Sequence, residues 1–187
     1  MRIIGGKLKG KKIFEPKNKI TRPLKDLTKE SIFNIIIHSN KFNVDLKNSN
    51  VLDLFAGVGS FGLECLSRGS IFITFVENYP EVLKVLKRNI SNLRYQSNSI
   101  IIKNDINNDL NFKLFKQKFD IIFLDPPYKE KSISQLLKKI IDAKILNQKG
   151  LLIMHRHKKG KDVIPKELKI IENKTYGISR IVFTSFD

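Results

Sequence analysis

The tetrapeptide Asp125-Pro126-Pro127-Tyr128 directly follows an apolar run, Phe119-Asp120-Ile121-Ile122-Phe123-Leu124. Two successive prolines fix φ and remove two backbone donors. The loop therefore presents acceptors, the Asp125 carboxylate and the Pro126 carbonyl. An exocyclic amine on a base is a poor nucleophile, because its lone pair is delocalised into the ring. Two acceptors on its N–H groups favour the tetrahedral geometry needed to attack a methyl carbon, an effect of positioning and electrostatics. Tyr128 offers a flat face for the target base, and such stacking contributes about 1–3 kcal/mol. A covalent cysteine mechanism would want a Pro-Cys loop at this point. The single cysteine, Cys65, lies elsewhere and reads as core packing.

A second group of residues lies upstream. Gly57-x-Gly59-x-x-Gly62 follows an apolar strand and opens a helix. Glycines there let the chain turn tightly and let backbone approach a ligand closely. The same pattern describes dinucleotide-binding proteins, so its surroundings matter. Asp53 sits four residues before Gly57, where a carboxylate can meet a cationic or amino group. Glu77 ends the next apolar run, twenty residues after Gly57, and can accept both hydroxyls of a ribose. Asn104-Asp105-Ile106 follows a third run and can hold an adenine amino group and one ring face. Acids at three successive strand ends fit a ligand with amino-acid, ribose and adenine parts, and S-adenosylmethionine is one. It has no pyrophosphate to place on a helix N-terminus, and its sulfonium tolerates acids.

These residues need elements to hold them. Apolar runs at 51–55, 71–76, 100–102, 119–124 and 150–154 alternate with helical patterns at 26–40, 60–68, 80–89 and 133–141. Continuous apolar strands between helices predict a parallel sheet covered on both faces. Ligands of such sheets sit outside the carboxyl ends of the strands, at the topological switch point. Every motif above falls at such an end. Residues 168–174 and 178–183 around Tyr176-Gly177 predict a closing antiparallel pair. Residues 2–14 predict a hairpin turned at Gly5-Gly6. His38 reads as a partner for a helix C-terminus. His155 and His157 lack the companions of a metal site, and His155 stands where it can touch RNA.

Charge is the loudest global signal. The 187 residues carry a net charge of +17, and residues 1–30 hold ten basic side chains against three acidic ones. A basic end on a compact domain is the electrostatic footprint of a nucleic-acid binder. Residues 1–25 are accordingly expected to form a basic RNA-binding extension and residues 26–187 the catalytic domain. No apolar run reaches the roughly 18 residues of a membrane helix. One cysteine excludes an intramolecular disulfide and a cysteine zinc cluster. The N-terminus lacks the apolar core of a signal peptide, so a cytoplasmic protein is expected.

The tetrapeptide at 125–128 resembles the Asp/Asn-Pro-Pro-Tyr/Phe signature of class I S-adenosylmethionine-dependent amino-methyltransferases. The fuller resemblance is to the bacterial RsmD family, and it covers nearly the whole chain. It rests on Met1 to Gly10, Thr21-Arg22-Pro23, Lys29 to Asn34, Asp53 to Ser60 and Leu124 to Tyr128. It implies methylation of the N2 amine of a guanine in 16S ribosomal RNA, within an assembling 30S particle, by a monomer using no metal. It implies a Rossmann-like α/β fold: a mostly parallel seven-stranded sheet with helices on both faces, a C-terminal antiparallel strand and an N-terminal hairpin. Carried onto this chain, the cofactor residues are Asp53, Phe55, Ala56, Gly57, Gly59, Glu77, Asn78, Asp105, Ile106 and Asp125. The catalytic residues are Asp125, Pro126, Pro127 and Tyr128. Arg2, Lys7, Lys9, Lys11, Lys12 and Arg22 are the expected RNA contacts. The chain departs from the family at Leu24, often a small or hydroxyl residue, and at His155, often an acid. Three other readings remain open from the residues: a DNA adenine-N6 methyltransferase, an NAD-dependent oxidoreductase and a non-catalytic RNA-binding protein.

Overall fold

The computed structural model describes residues 1–16, 24–106, 110–130 and 132–186. Four helices and seven strands follow the anticipated order. They are α1 (Asp26–His38), β1 (Asn50–Leu54), α2 (Ser60–Ser67), β2 (Phe72–Glu77), α3 (Pro80–Asn92), β3 (Ser99–Lys103), β4 (Phe119–Leu124), α4 (Ile133–Asp142), β5 (Leu146–His157), β6 (Leu168–Tyr176) and β7 (Ser179–Phe186). They form one sheet in the order β3-β2-β1-β4-β5-β7-β6. β1 to β5 run parallel, and β7 is antiparallel to both β5 and β6. The strand order reverses between β1 and β4, the switch point where a ligand crevice opens.

Alternation along each strand feeds two cores. Val51, Ile73, Phe75, Ile121, Phe123, Ile153 and Phe183 face α1, α2 and α3. Leu52, Leu54, Val76, Ile122, Leu124, Leu152 and Met154 face α4 and the segment around Leu110 and Phe112. Strands buried on both sides read as unbroken apolar runs, which is why the sheet is legible in the sequence. Pro80 occupies the first turn of α3, where its missing N–H costs nothing. β5 is longer than its apolar stretch. It begins at Leu146 and passes through the exposed Gln148 and Lys149, which hide its start.

The N-terminal segment differs from the expected hairpin. It closes through a single antiparallel bridge, Arg2 to Lys12, and the chain reverses over a 3-10 turn at Gly6–Leu8. Gly5 and Gly6 serve close approach rather than a two-residue turn. A Cβ on Gly6 would lie 1.9 Å from the Ser67 carbonyl oxygen, and one on Gly5 would lie 2.2 Å from the Arg68 guanidinium. The arm is thereby pressed along α2, and Ile3 and Ile13 are fully buried in the main core.

Polar bonds complete the attachment. The Ile4 N–H donates to Glu64, the Leu8 N–H to Ser67 Oγ, and the Ser67 hydroxyl to the Gly5 carbonyl. Asn89 on α3 accepts from the Phe14 N–H and donates to the Phe14 carbonyl. Lys29, fully buried, donates to the Arg2 carbonyl at 2.8 Å and pairs with the equally buried Glu64 at 3.6 Å. Burial pushes the Lys29 ammonium below its ordinary range, against the pull of Glu64 and Asp26. Glu64 also accepts from Arg68.

Removing one partner of a buried ion pair leaves the other uncompensated, at a cost of about 3–5 kcal/mol. Glu64→Ala is therefore expected to lower unfolding stability by about that amount in urea titrations, and to speed amide exchange at Ile4. A loss below about 1 kcal/mol, the value of a surface pair, would contradict the role given to this cluster.

Candidate active site

Across the carboxyl ends of β1, β2, β3 and β4 lies a cavity of about 520 Å³. Its wall includes Asp53, Phe55, Ala56, Gly57, Glu77, Asn78, Asp105, Ile106, Asp125, Pro126, Pro127 and Tyr128. The three strand-end groups and the proline loop read from sequence thus share one space. Gly59 and Gly62 do not line it. Gly59 takes φ +84 as the N-cap of α2. Gly62 has no room for a side chain, since a Cβ would lie 2.4 Å from the Phe75 ring. Both shape the wall from behind. Met1 and Leu24 also border the cavity, so the N-terminal segment reaches the site.

The chain turns out of β1 through Phe55, a non-glycine residue at φ +59. Such a conformation persists only where its surroundings enforce it. Here the Ala56 N–H donates to the Val76 carbonyl and the Gly57 N–H to Glu77 Oε2, tying the turn to the end of β2. Glu77 Oε1 also accepts from the Asn78 and Tyr79 N–H groups. Three of the roughly four acceptor positions of this carboxylate are therefore occupied by backbone.

Asp53 is 1% exposed and accepts from the Gly62 N–H at 3.0 Å. It thereby caps the first turn of α2 with a carboxylate. The dinucleotide fold leaves that helix end for a pyrophosphate, and a negative cap there opposes one. Burial pushes the Asp53 carboxyl well above the usual carboxylate range. The Gly62 N–H opposes this, and the charges of Asp125 and Glu77 add to it. On the third strand end, Asn104 Oδ1 is buried without a hydrogen-bond partner, the one such side-chain atom among the described residues. Asn104 borders the same cavity.

The proline loop is held from β5. Parallel pairing sets Leu124 beside Met154, which brings the next residues, Asp125 and His155, together. His155 is 2% exposed. Its Nδ1 lies 2.8 Å from Asp125 Oδ1, and its Nε2 lies 2.9 Å from Ser179 Oγ on β7. Arg156, also buried, donates to the carbonyls of Pro127 at 3.1 Å and Glu130 at 2.7 Å, and forms a bidentate pair with Asp162. The Pro126 carbonyl stays out of this clamp. Tyr128 meets the His155 and His157 rings edge to face. Behind the loop, Phe123 stacks on Phe61 at 3.9 Å between centroids. Neither His155, read from sequence as able to touch RNA, nor Arg156 is exposed at the surface. Their support of the loop follows from which strands are neighbours, which the sequence of β5 does not state.

The basic residues of the arm are exposed at Arg2, Lys7, Lys9, Lys11 and Lys12. They are not equivalent. The Leu8 N–H bonds to Ser67, so Lys7 and Lys9 flank the far end of α2. Arg2 and Lys12 bridge nearer its start, and Arg2 pairs with Asp26. Arg22 lies outside the described residues. Cys65 is fully buried, and His38 stands in the last turn of α1. No helix among the described residues is long and apolar enough to cross a membrane.

A group with a raised carboxyl pKa adds stability below its unfolded value, which is lost as pH rises through the folded one. Asp53→Asn keeps an acceptor for Gly62 and removes this titration. The ligand-free variant is expected to melt at a higher temperature than the parent at pH 7. The gain should shrink as pH falls toward the ordinary Asp range near ~4. A lower melting temperature at pH 7 would show that the Asp53 charge is not under strain.

Comparison with known proteins places these features in a family. Ribosomal RNA small subunit methyltransferase D of Haemophilus influenzae is 30% identical, covering 95% of this chain and 90% of its own. The protein of the same name from Buchnera aphidicola is 30% identical over 92% of this chain and 86% of its own. A solved structure from H. influenzae matches with a TM-score of 0.78 at 26% identity, covering 100% of this chain and 99% of its own. Residues 1–185 match the family described as Conserved hypothetical protein 95, and the chain belongs to that family.

Proposed function

We propose that the chain transfers a methyl group from S-adenosylmethionine to the exocyclic N2 amine of a guanine in 16S ribosomal RNA. The observation that carries this reading is a single cavity. Asp53, Glu77 and Asn104-Asp105-Ile106 bound it on the glycine-loop side, and Asp125 to Tyr128 bound it on the other. The names of the family relatives support ribosomal RNA as the substrate. The cap that Asp53 places on α2 disfavours a dinucleotide, and the intact loops disfavour a purely binding role.

The residues present fit this cofactor. Asn104 Oδ1 lacks a partner that an adenine amino group supplies. About 520 Å³ lies within the ordinary range of ligand pockets. Glu77 retains acceptor capacity for one ribose hydroxyl, and a second is accommodated by releasing the Asn78 or Tyr79 N–H. Asp53 presents negative charge toward the amino-acid part, with Gly57 and Ala56 beneath it. Phe55, Asn78 and Ile106 complete the wall. When bound, the cofactor supplies a methyl group on a positively charged sulfur.

Asp125 and the Pro126 carbonyl accept the two N–H groups of the target amine and hold its lone pair toward that methyl. Pro127 fixes the loop through Arg156, and Tyr128 stacks on the base. Asp125 accepts the proton that the amine sheds once its nitrogen carries the methyl. Such positioning is the main source of acceleration for a reaction that needs little covalent help. The arm contributes Arg2, Lys7, Lys9, Lys11 and Lys12 to the RNA backbone, with Arg22 near the entrance. A monomer acting in the cytoplasm on an assembling 30S particle accords with this reading.

Asp125→Ala is expected to lower methylation of undermethylated 16S RNA by about a hundredfold or more, since it removes an interaction specific to the transition state. Cofactor affinity by calorimetry should change little. Turnover near the parent value in a folded variant would remove Asp125 from catalysis.

Lys11→Glu with Lys12→Glu should weaken RNA binding and flatten its salt dependence. The log–log slope should fall by about 0.7–0.9 for each phosphate that the arm no longer neutralises. An unchanged slope would make the arm a purely structural element.

A further inference from the structure

We infer that His155 is a positioning residue for the amine-binding carboxylate, acting through its Nδ1–H on Asp125. The inference rests on the proposed role of Asp125 and extends it to a residue outside the tetrapeptide. Its basis is a chain of three groups from three adjacent strands. Asp125 follows β4, His155 lies near the end of β5, and Ser179 opens β7. The links measure 2.8 Å from Asp125 Oδ1 to Nδ1 and 2.9 Å from Nε2 to Ser179 Oγ.

An ionised carboxylate only accepts hydrogen bonds, so Nδ1 must carry the proton toward Asp125. In the neutral ring, Nε2 is then the acceptor, and the Ser179 hydroxyl donates to it. A hydroxyl both donates and accepts, so Ser179 accommodates and fixes in place the tautomer that the Asp125 carboxylate imposes. The ring is 2% exposed, so water does not compete for either nitrogen. With Oδ1 fixed, the other carboxylate oxygen is the one left to the cavity, which Asp125 lines.

The need for such a clamp is electrostatic. Asp125 shares the cavity wall with Asp53, whose carboxyl is held well above the usual carboxylate range by burial and then by the charges of Asp125 and Glu77. Like charges in one cavity disfavour each other, and the Nδ1–H of His155 behind Asp125 holds that carboxylate in place. Arg156, on the neighbouring position of β5, holds the Pro127 and Glu130 carbonyls and so fixes the backbone of the loop. His155 fixes the side chain, and Arg156 fixes the main chain that carries it.

Two amide substitutions separate this role from simple packing. The amide nitrogen of Asn reaches the place of Nδ1, and that of Gln reaches the place of Nε2. His155→Asn should keep kcat within about threefold of the parent. His155→Gln should lose about 10–100-fold in kcat, the scale of a misplaced catalytic group. In both, KM for RNA and cofactor affinity should stay within about twofold, a smaller change than one missing hydrogen bond produces. Nitrogen-15 spectra of the ligand-free protein should show His155 with its proton on Nδ1. Equal kcat in the two variants, whether high or low, would overturn the inference, as would a proton found on Nε2 alone. Asp125→Ala measured alongside keeps the outcomes distinct. If that variant retains activity, the reading of Asp125 fails. If it is inactive while the Gln variant matches the Asn variant, only the role of His155 fails.

Discussion

Parallel strands end together, and in this chain four of those ends carry carboxylates, Asp53, Glu77, Asp105 and Asp125, into one cavity. Burial raises the cost of ionising Asp53, and the charges of Asp125 and Glu77 add to it, in a protein whose overall charge is +17. Much of the surrounding structure answers that cost. Gly62 gives its N–H to Asp53. Gly57, Asn78 and Tyr79 give theirs to Glu77, and His155 meets Asp125. The site is a preorganised negative well, held open by backbone donors. A ligand with a positive sulfur and amino groups relieves its strain. A ligand with phosphates would deepen it.

The same economy explains why the basic arm is part of the fold. Ile3 and Ile13 belong to the main core, and Lys29 and Glu64 are buried as a pair beneath the arm. Positive charge on a free tail would sample many positions. Here Arg2 and Lys12 are bridged beside the start of α2, whose first turn forms the cavity wall. In the proposed function, phosphate contacts made there carry no base information but fix the register of the RNA against the site, and the base is selected at the proline loop.

Local sequence carries most of the sheet, because strands buried on both faces leave unbroken apolar runs at Val51, Ile73, Ile121 and Leu151. It also carries the glycine turn and the proline loop, whose chemistry lies in consecutive residues. It misleads where one residue type serves two purposes. Gly5-Gly6 has the composition of a tight hairpin turn, yet these glycines admit Ser67 and Arg68 against the backbone. It is silent where a role depends on neighbours in space. His155 reads as a candidate RNA contact, but the β4–β5 register turns it, and Arg156 after it, onto the proline loop. Glu77 reads as a ribose acceptor, and nothing in the sequence around it reveals the three N–H groups it already accepts.

If this cavity receives adenosine at the β2 and β3 ends, the cofactor's sulfur must stand before Asp125. A crystal structure of the complex with S-adenosylhomocysteine decides the matter. The expected complex has a ribose hydroxyl within hydrogen-bond distance of Glu77, the adenine amino group on Asn104 Oδ1 or Asp105, and the sulfur facing the Asp125 loop. Adenine seated against Tyr128, or a ligand bound outside the cavity with Asn104 Oδ1 still unpaired, would overturn this assignment of the site.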